Sequence, residues 1–243
     1  MASRVMALLG AFDGSHRCLT LSQLSRRSGL PLTTAHRLAA ELTAWGALSR
    51  RPSGEYVVGR RMWDLGLLAP VQSGLREVAA PFLQDLYGAT LATVHLAIRD
   101  GSQALYLDRI SGHASVPVVS QAGARLPLHA TGVGKVLLAY APADVQARVL
   151  ASLTRITPYT ITQPGRLLTE LRHVRRDGYA QTREEMSLGA CSVAVPVHGP
   201  GEMAVAALGI VLPRLNKDGP RLAAALRVTA QGIGRSIAVA SAQ

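Results

Sequence analysis

LSQLSRRSGLPLTTAHRLAAELTAWG, residues 21–46, is the stretch whose reading decides the rest of the chain. Leu21, Leu24 and Ser25 fall on one face of a first short helix, and Ser28-Gly29-Leu30-Pro31 breaks it. A second helix follows, with Thr33 or Thr34 placed to cap it through a side-chain oxygen. Ala35, Leu38, Leu42 and Trp45 recur at spacings of three and four and are predicted to bury together. That leaves Thr33, His36, Arg37 and Ala40 on the opposite side. Small, polar and basic residues at a helix N-terminus suit the major groove, where a helix must approach base edges while hydroxyls and guanidinium groups meet phosphate oxygens. The stretch therefore predicts a helix-turn-helix whose second helix reads double-stranded DNA.

Working outward, Val5, Leu8, Leu9 and Phe12 predict a first helix over residues 3–13, ending at Asp13-Gly14 and packed beneath the pair. After Trp45-Gly46, the segment LSRRPSGEYVVG alternates and turns at Pro52-Ser53-Gly54, as a two-stranded hairpin does. Helix, helix-turn-helix and hairpin together read as a winged helix, with Arg50 and Arg51 on the wing facing phosphates or the neighbouring minor groove. RRMWDLGLL, residues 60–68, reads as a helix joining two domains. Its Met62, Trp63, Leu65 and Leu68 are too apolar for a free linker, so it is expected to pack on the first helix or on a second subunit, and Pro70 ends it.

Charge supports this assignment. The chain carries a formal +11, and residues 1–61 hold nine arginines against Asp13, Glu41 and Glu55, a net of +6 in a quarter of its length. With 24 Arg and only Lys135 and Lys217, codon bias explains the choice of Arg over Lys, but it does not explain the clustering, which favours an anionic partner. At 243 residues and 48% apolar content, two domains with separate cores are affordable, and no apolar run is long enough to span a bilayer. The first residues, with Asp13 among them, do not form a leader, so a soluble cytoplasmic protein is expected. Cys18 and Cys191 form neither a metal nor a disulfide pattern, as in a reducing compartment.

The second half reads as a mixed α/β unit with a largely antiparallel sheet flanked by helices. LREVAAPFLQDLYGAT is a helix burying Leu75, Val78, Phe82, Leu83 and Leu86, with Pro81 at a kink or a break. ATVHLAIRDG and SQALYLDRI form a hairpin. SVPVVSQAG and ARLPLHA are extended, and TGVGKVLLAYAP, PADVQARVLASL and RLLTELRHVRRDG are helical. CSVAVPVHGPGEMAVAALGIVLP gives two strands around Gly199-Pro200-Gly201, and PRLAAALRVTAQGIGRSIAVA closes as a long helix.

These residues resemble the IclR-type bacterial transcription regulators over almost the whole length. The likeness rests on SGLPLTTAHRLAAELTAWGALSR followed by YVVGRRMWDLG, on LPLHATGVGKVLLA, and on RRDGYAQTREEMSLGACSVAVPV. A helix-turn-helix serves many proteins, but the later segments at this spacing are specific. The resemblance implies an α+β chain: a winged helix-turn-helix over 1–59, a linker helix over 60–74, and a GAF-like effector-binding domain over 75–243. It also implies homodimers or homotetramers on a palindromic operator, controlled by a small organic, aromatic or sugar-derived acid, with no cofactor, no metal and no membrane. The candidate DNA-binding residues are Ser22, Arg26, Arg27, Pro31, Thr33, Thr34, His36, Arg37, Arg50 and Arg51.

A cleft for an anionic metabolite needs donors at one end. Gly132 and Gly134 let the backbone come close, and the start of the following helix offers N–H groups and a partial positive charge to a carboxylate. The resemblance places Gly132 and Val133 against the ligand. Where family members that bind small oxoacids carry an acidic residue, a cysteine and two serines, this chain has Thr182, Ser192 beside Cys191, Gly209 and Val211. The loss of polar groups predicts a wider, less polar cleft and a ligand larger or more apolar than glyoxylate or pyruvate. The candidate effector-binding set is His129, Ala130, Gly132, Val133, Thr182, Cys191, Ser192, Gly209 and Val211. Glu184 and Glu185 are read as structural. His129 with Cys191 as a nucleophile and base, or with Glu185 as a metal site, lacks a third group; a histidine bonded to backbone is the favoured reading. The rival functions are an enzyme with a GAF-like catalytic domain, which lacks a catalytic set, and a sensor of protein partners alone, which leaves the basic quarter unexplained.

Overall fold

Thr20 starts the helix-turn-helix: its hydroxyl accepts from the Gln23 amide while the Gln23 side chain accepts from the Thr20 amide, closing a capping box. The computed structural model describes residues 1–13, 16–67, 73–112, 116, 119–199, 204–215 and 219–240. The chain divides into two compact units, Met1–Ser73 and Gly74–Gln243.

The first unit runs α1 (Ala2–Leu9), β1 (Cys18–Leu19), α2 (Leu21–Ser28), α3 (Leu32–Trp45), β2 (Leu48–Arg50), β3 (Tyr56–Val58) and α4 (Arg60–Leu67). Its core joins Leu8, Leu19, Leu24, Ala35, Leu38, Leu42, Leu48 and Tyr56. Gly29 ends α2 with φ +68, the left-handed region glycine enters at no steric cost. The structure changes four details of the sequence reading. α1 stops at Leu9, not residue 13, with Gly10 as its C-cap. The N-cap of α3 is Pro31, which offers no side-chain bond, so Thr33 and Thr34 lie inside the first turn and do not cap it. Trp45 is not buried with Leu42: it is 44% exposed, with the Arg61 guanidinium 4.4 Å over its ring, and Ala39 joins the core stripe instead. The wing is a three-stranded sheet of order β1-β3-β2, because Cys18 and Leu19 pair with Val57 and Tyr56. Met62 of α4 packs on this unit's core, while Trp63 and Leu65 are exposed. Leu68 and Pro70 lie outside the described residues.

The second unit comprises α5 (Ser73–Thr90), β4 (Thr93–Asp100), β5 (Gln103–Ile110), β6 (Arg125–Pro127), α6 (Gly132–Ala139), α7 (Ala143–Leu150), α8 (Pro164–Asp177), β7 (Ala180–Arg183), β8 (Cys191–His198), β9 (Ala204–Leu212) and α9 (Gly219–Ala240). Pro81 sits within the continuous helix α5. Six antiparallel strands follow the order β6-β5-β4-β9-β8-β7. The period of two sorts the residues of β8 and β9 between the faces. Val193, Val195, Val197, Ala206, Leu208 and Ile210 pack in one core with α5 and α9. Ala194 and Ala207 meet α6, α7 and α8 in the other. Large residues on one side and small ones on the other bring α6 close to the sheet. The expected extended segment at SVPVVSQAG and the turn at Gly199-Pro200-Gly201 lie partly outside the described residues. Among the described residues no helix is long and apolar enough to cross a membrane.

Candidate functional site

On the first unit, Thr33, His36 and Arg37 are exposed along the N-terminal half of α3, with Pro31 exposed before it and Thr34 half-buried. Ser22 and Arg26 are exposed on α2, and Arg50 and Arg51 are exposed where the wing turns. Three arginines of the candidate set carry partners in the structure. Arg27 donates from Nε to the Ala11 carbonyl at 2.7 Å and from a terminal nitrogen to Asp13 at 2.6 Å. Its guanidinium holds the segment just past α1 against α2, so this candidate DNA-binding arginine already carries a structural role. Arg37 pairs with Glu41 one turn on, at 2.5 Å, both about half exposed. Such a pair is worth about 0–1 kcal/mol, so it yields readily to a stronger acceptor. Arg50 donates weakly to the Gly54 carbonyl at 3.4 Å and stands 5.7 Å over the Tyr56 ring, which aims it along the hairpin.

On the second unit, a cavity of about 50 Å³ opens between the N-terminus of α6 and the sheet. Strand register explains its lining. One cross-strand row runs Thr182, Ser192, Val211, Thr93, and the next runs Ala180, Ala194, Gly209, His95, Arg109. Both rows face α6. Thr131 caps that helix, its hydroxyl accepting from the Gly134 amide at 3.1 Å. The amides of Gly132 and Val133, in the first turn, have no carbonyl four residues back within the helix. A Cβ on Gly132 would stand 2.5 Å from Ser192 Oγ, so only glycine lets the helix come this near. Below, Thr182 Oγ1 and Ser192 Oγ share a hydrogen bond of 2.6 Å.

The structure brings Gly132, Val133, Thr182, Cys191, Ser192, Gly209 and Val211 to this cavity. His129 and Ala130 do not line it. Nε2 of His129 lies 2.9 Å from the Thr154 carbonyl, and burial pulls its pKa below the usual histidine range. Gly209 does not widen the cavity as expected, because Val133 Cγ1 stands 2.9 Å from where its Cβ would be. Ala190, Met186, Leu126, Val119 and Ile210 supply apolar wall.

Sequence reasoning missed the cavity's other end. His95 is buried, bonded through Nε2 to Ser120 Oγ at 2.7 Å, and edge-on to the Tyr106 ring at 5.0 Å. Burial, aided by the Arg109 charge, lowers its pKa to about 3, so the ring is neutral at physiological pH. Burial pushes the Tyr106 phenol up to about 12, opposed by its bond to Thr131. Lys135 was missed too: fully buried on α6, its Nζ meets Glu185 Oε1 at 2.6 Å. Burial raises the Glu185 pKa, against the pull of Lys135. Thr157 and Thr160 clamp the backbone behind it, donating to the Glu184 and Glu185 carbonyls at 2.6 and 2.7 Å. Polarity and alternation in TVHLAIRD, and a lone Lys within apolar GVGKVLLA, are the signals that could have found them. Among the described residues no group of His, Cys, Asp or Glu could hold a metal ion.

Residues 69–235 match the family model for the bacterial transcriptional regulator IclR C-terminal domain, and residues 2–52 match the IclR helix-turn-helix domain. The HTH-type transcriptional regulator XynR of Escherichia coli is 32% identical over 85% of this chain and 83% of its own length. The HTH-type transcriptional regulator BhcR of Paracoccus denitrificans is 34% identical over 85% of this chain and 75% of its own. Among solved structures, an IclR homolog from Microbacterium hydrocarbonoxydans complexed with 4-hydroxybenzoate superposes with a TM-score of 0.92 at 32% identity, covering 98% of this chain and 99% of that one. With both parts of its length matched, the chain belongs to the IclR family of bacterial transcriptional regulators.

Proposed function

We propose that this regulator binds a palindromic operator as a homodimer or homotetramer in the cytoplasm, and that a small organic acid in the cavity beside α6 sets its operator affinity. The observation that carries the DNA half is the exposed face of Thr33, His36 and Arg37 on α3, flanked by Ser22 and Arg26 and by Arg50 and Arg51 of the wing. Exposed Trp63 and Leu65 on α4 support a second copy as partner to the first unit. The acid enters with its carboxylate at the Gly132 and Val133 amides and the Thr182–Ser192 hydroxyls, its body against Met186, Ala190 and Val211. The 4-hydroxybenzoate held by the Microbacterium protein supports a ligand of single-ring size.

The test is fluorescence anisotropy with DNA from upstream of the chain's own gene, against salt and against random duplex. If Arg26, Arg50 and Arg51 of two protomers meet six phosphates, affinity falls about 10³-fold between 50 and 200 mM salt. Arg37→Ala costs about 1–3 kcal/mol on the specific site and less on random DNA. Equal affinity for the two duplexes, or no response to any member of an organic-acid panel, overturns the reading.

A further inference from the structure

Beside the cavity's His95 end, next to its lining, stand two groups that no bond in the structure explains. Thr93 is fully buried, yet its Oγ1 has no hydrogen-bond partner among the described residues. The Nε of Arg109 is likewise buried without a partner, and its guanidinium forms no ion pair among the described residues, unlike Arg27, Arg37, Arg76 or Arg125. Both residues stand on the α6 face, each one register step from the cavity lining: Thr93 pairs with Val211, and Arg109 pairs with His95. Ser120 and His95 complete the cluster. A cation and a hydroxyl without acceptors, beside a neutral imidazole and a second hydroxyl, form a donor-rich corner with no acid to satisfy it.

We propose that Arg109, with Thr93 and the His95–Ser120 pair, is a second acid-recognition subsite, and that the effector is a two-headed acid with a carboxylate at each end of a single-ring body. This rests on the reading that an acid occupies the cavity at all. Reach supports it. Ser192 on β8 and His95 on β4 are separated by β9 and lie in adjacent cross-strand rows two residues apart, which at the usual strand spacing and rise is about 12 Å; to Arg109 on β5 it is about 16 Å. Taking one hydrogen bond of about 2.9 Å from each end leaves about 6–10 Å between the ligand's acceptor groups, the lower part of which a para-disubstituted ring spans. Desolvation agrees: an arginine fork without an acceptor gains most from a planar, bidentate carboxylate. An effector with one acid and an apolar tail would leave Thr93 and Arg109 as they are.

The experiment is calorimetric titration of the full-length protein with benzoate, 4-hydroxybenzoate and terephthalate, which share one carboxylate and differ at the para position. Terephthalate is expected to bind at least tenfold more tightly than benzoate, with 4-hydroxybenzoate between them. Arg109→Met reduces terephthalate to the level of benzoate while leaving benzoate unchanged, and Arg109→Lys recovers part of the difference. The proposal is overturned if 4-hydroxybenzoate binds most tightly, if terephthalate gains nothing over benzoate, or if Arg109→Met weakens all three alike. No binding by any of the three also overturns it, and the wider acid panel then decides separately whether the cavity takes acids.

Discussion

Lys135→Met removes one charge from the buried pair while keeping the length of the stem. In the native protein Nζ lies 2.6 Å from Glu185 Oε1, with side-chain exposures of 1% and 9%, and Glu185 Oε2 has no partner among the described residues. The variant strands a carboxylate with neither oxygen paired to a cation, in surroundings that already raise its pKa. Breaking one side of such a pair costs about 3–5 kcal/mol. For a unit of this size, each kcal/mol is about 2–4 °C of Tm, so a fall of about 6–20 °C is expected. The sign with pH follows from the direction of the shift. A carboxyl whose folded pKa is raised favours the fold most below its unfolded pKa, and that contribution is lost as pH rises through the folded value. Without Lys135 the folded pKa rises further, so the variant's deficit is greatest at alkaline pH and shrinks on acidification. Adding Glu185→Met removes the stranded charge and restores most of the loss, because a buried ion pair and an apolar replacement of similar volume are close in energy. Thermal melts and guanidinium titrations of wild type, single and double variants at pH 5, 7 and 9 decide it. A double variant no more stable than the single, or a deficit that grows in acid, refutes the reasoning.

His95 gives the opposite pH dependence. Its folded pKa is lowered to about 3, so below about 6.5 the unfolded chain takes a proton the folded one refuses, and stability is lost as pH falls from about 6.5 towards about 3. The loss attributable to this residue is about 2 kcal/mol at pH 5; His95→Phe should flatten that slope in denaturant titrations, and an unchanged slope contradicts the assignment. Neighbouring arginines of α2 should separate cleanly: Arg27→Ala lowers the melting temperature of the first unit by releasing Ala11 and Asp13, while Arg26→Ala leaves stability within about 0.5 kcal/mol and weakens operator binding. Equal effects of the two on either measurement would show that their environments have been misread.

The fold was legible wherever periodicity met punctuation. α3, the β4–β5 hairpin, α6 to α9 and the small-residue strands all follow from spacings of three, four or two bounded by glycine and proline. What escaped depended on partners distant in sequence. β1 is two residues long and exists only because β3 accepts it. Trp45 fits the apolar stripe by spacing, but it closes the helix where an arginine from α4 covers it better than the core does. In the cavity, glycines and hydroxyls next to a helix start could be read directly, whereas His95 and Arg109 belong to a hairpin that looks purely structural until its register sets them in one row with Gly209 and Ala194.

That row also shows why this face of the sheet suits a switch. The fully buried residues of the α5 and α9 core are aliphatic or small. The buried side-chain atoms without partners, among the described residues, are Thr93 Oγ1, Arg109 Nε and Glu185 Oε2, and all three lie on or beside the α6 face. Each unsatisfied buried group costs about 1–3 kcal/mol in the free protein. A ligand alters an equilibrium only by the difference in its affinity for the two states, and the coupling between sites is typically about 1–3 kcal/mol. Satisfying two of these atoms would release about 2–6 kcal/mol, comparable to the roughly 5.5 kcal/mol needed to move a two-state population from one extreme to the other. An aliphatic cavity of the same volume could bind a ring as tightly, but its walls would hold no unmet bonds to distinguish the filled state from the empty one.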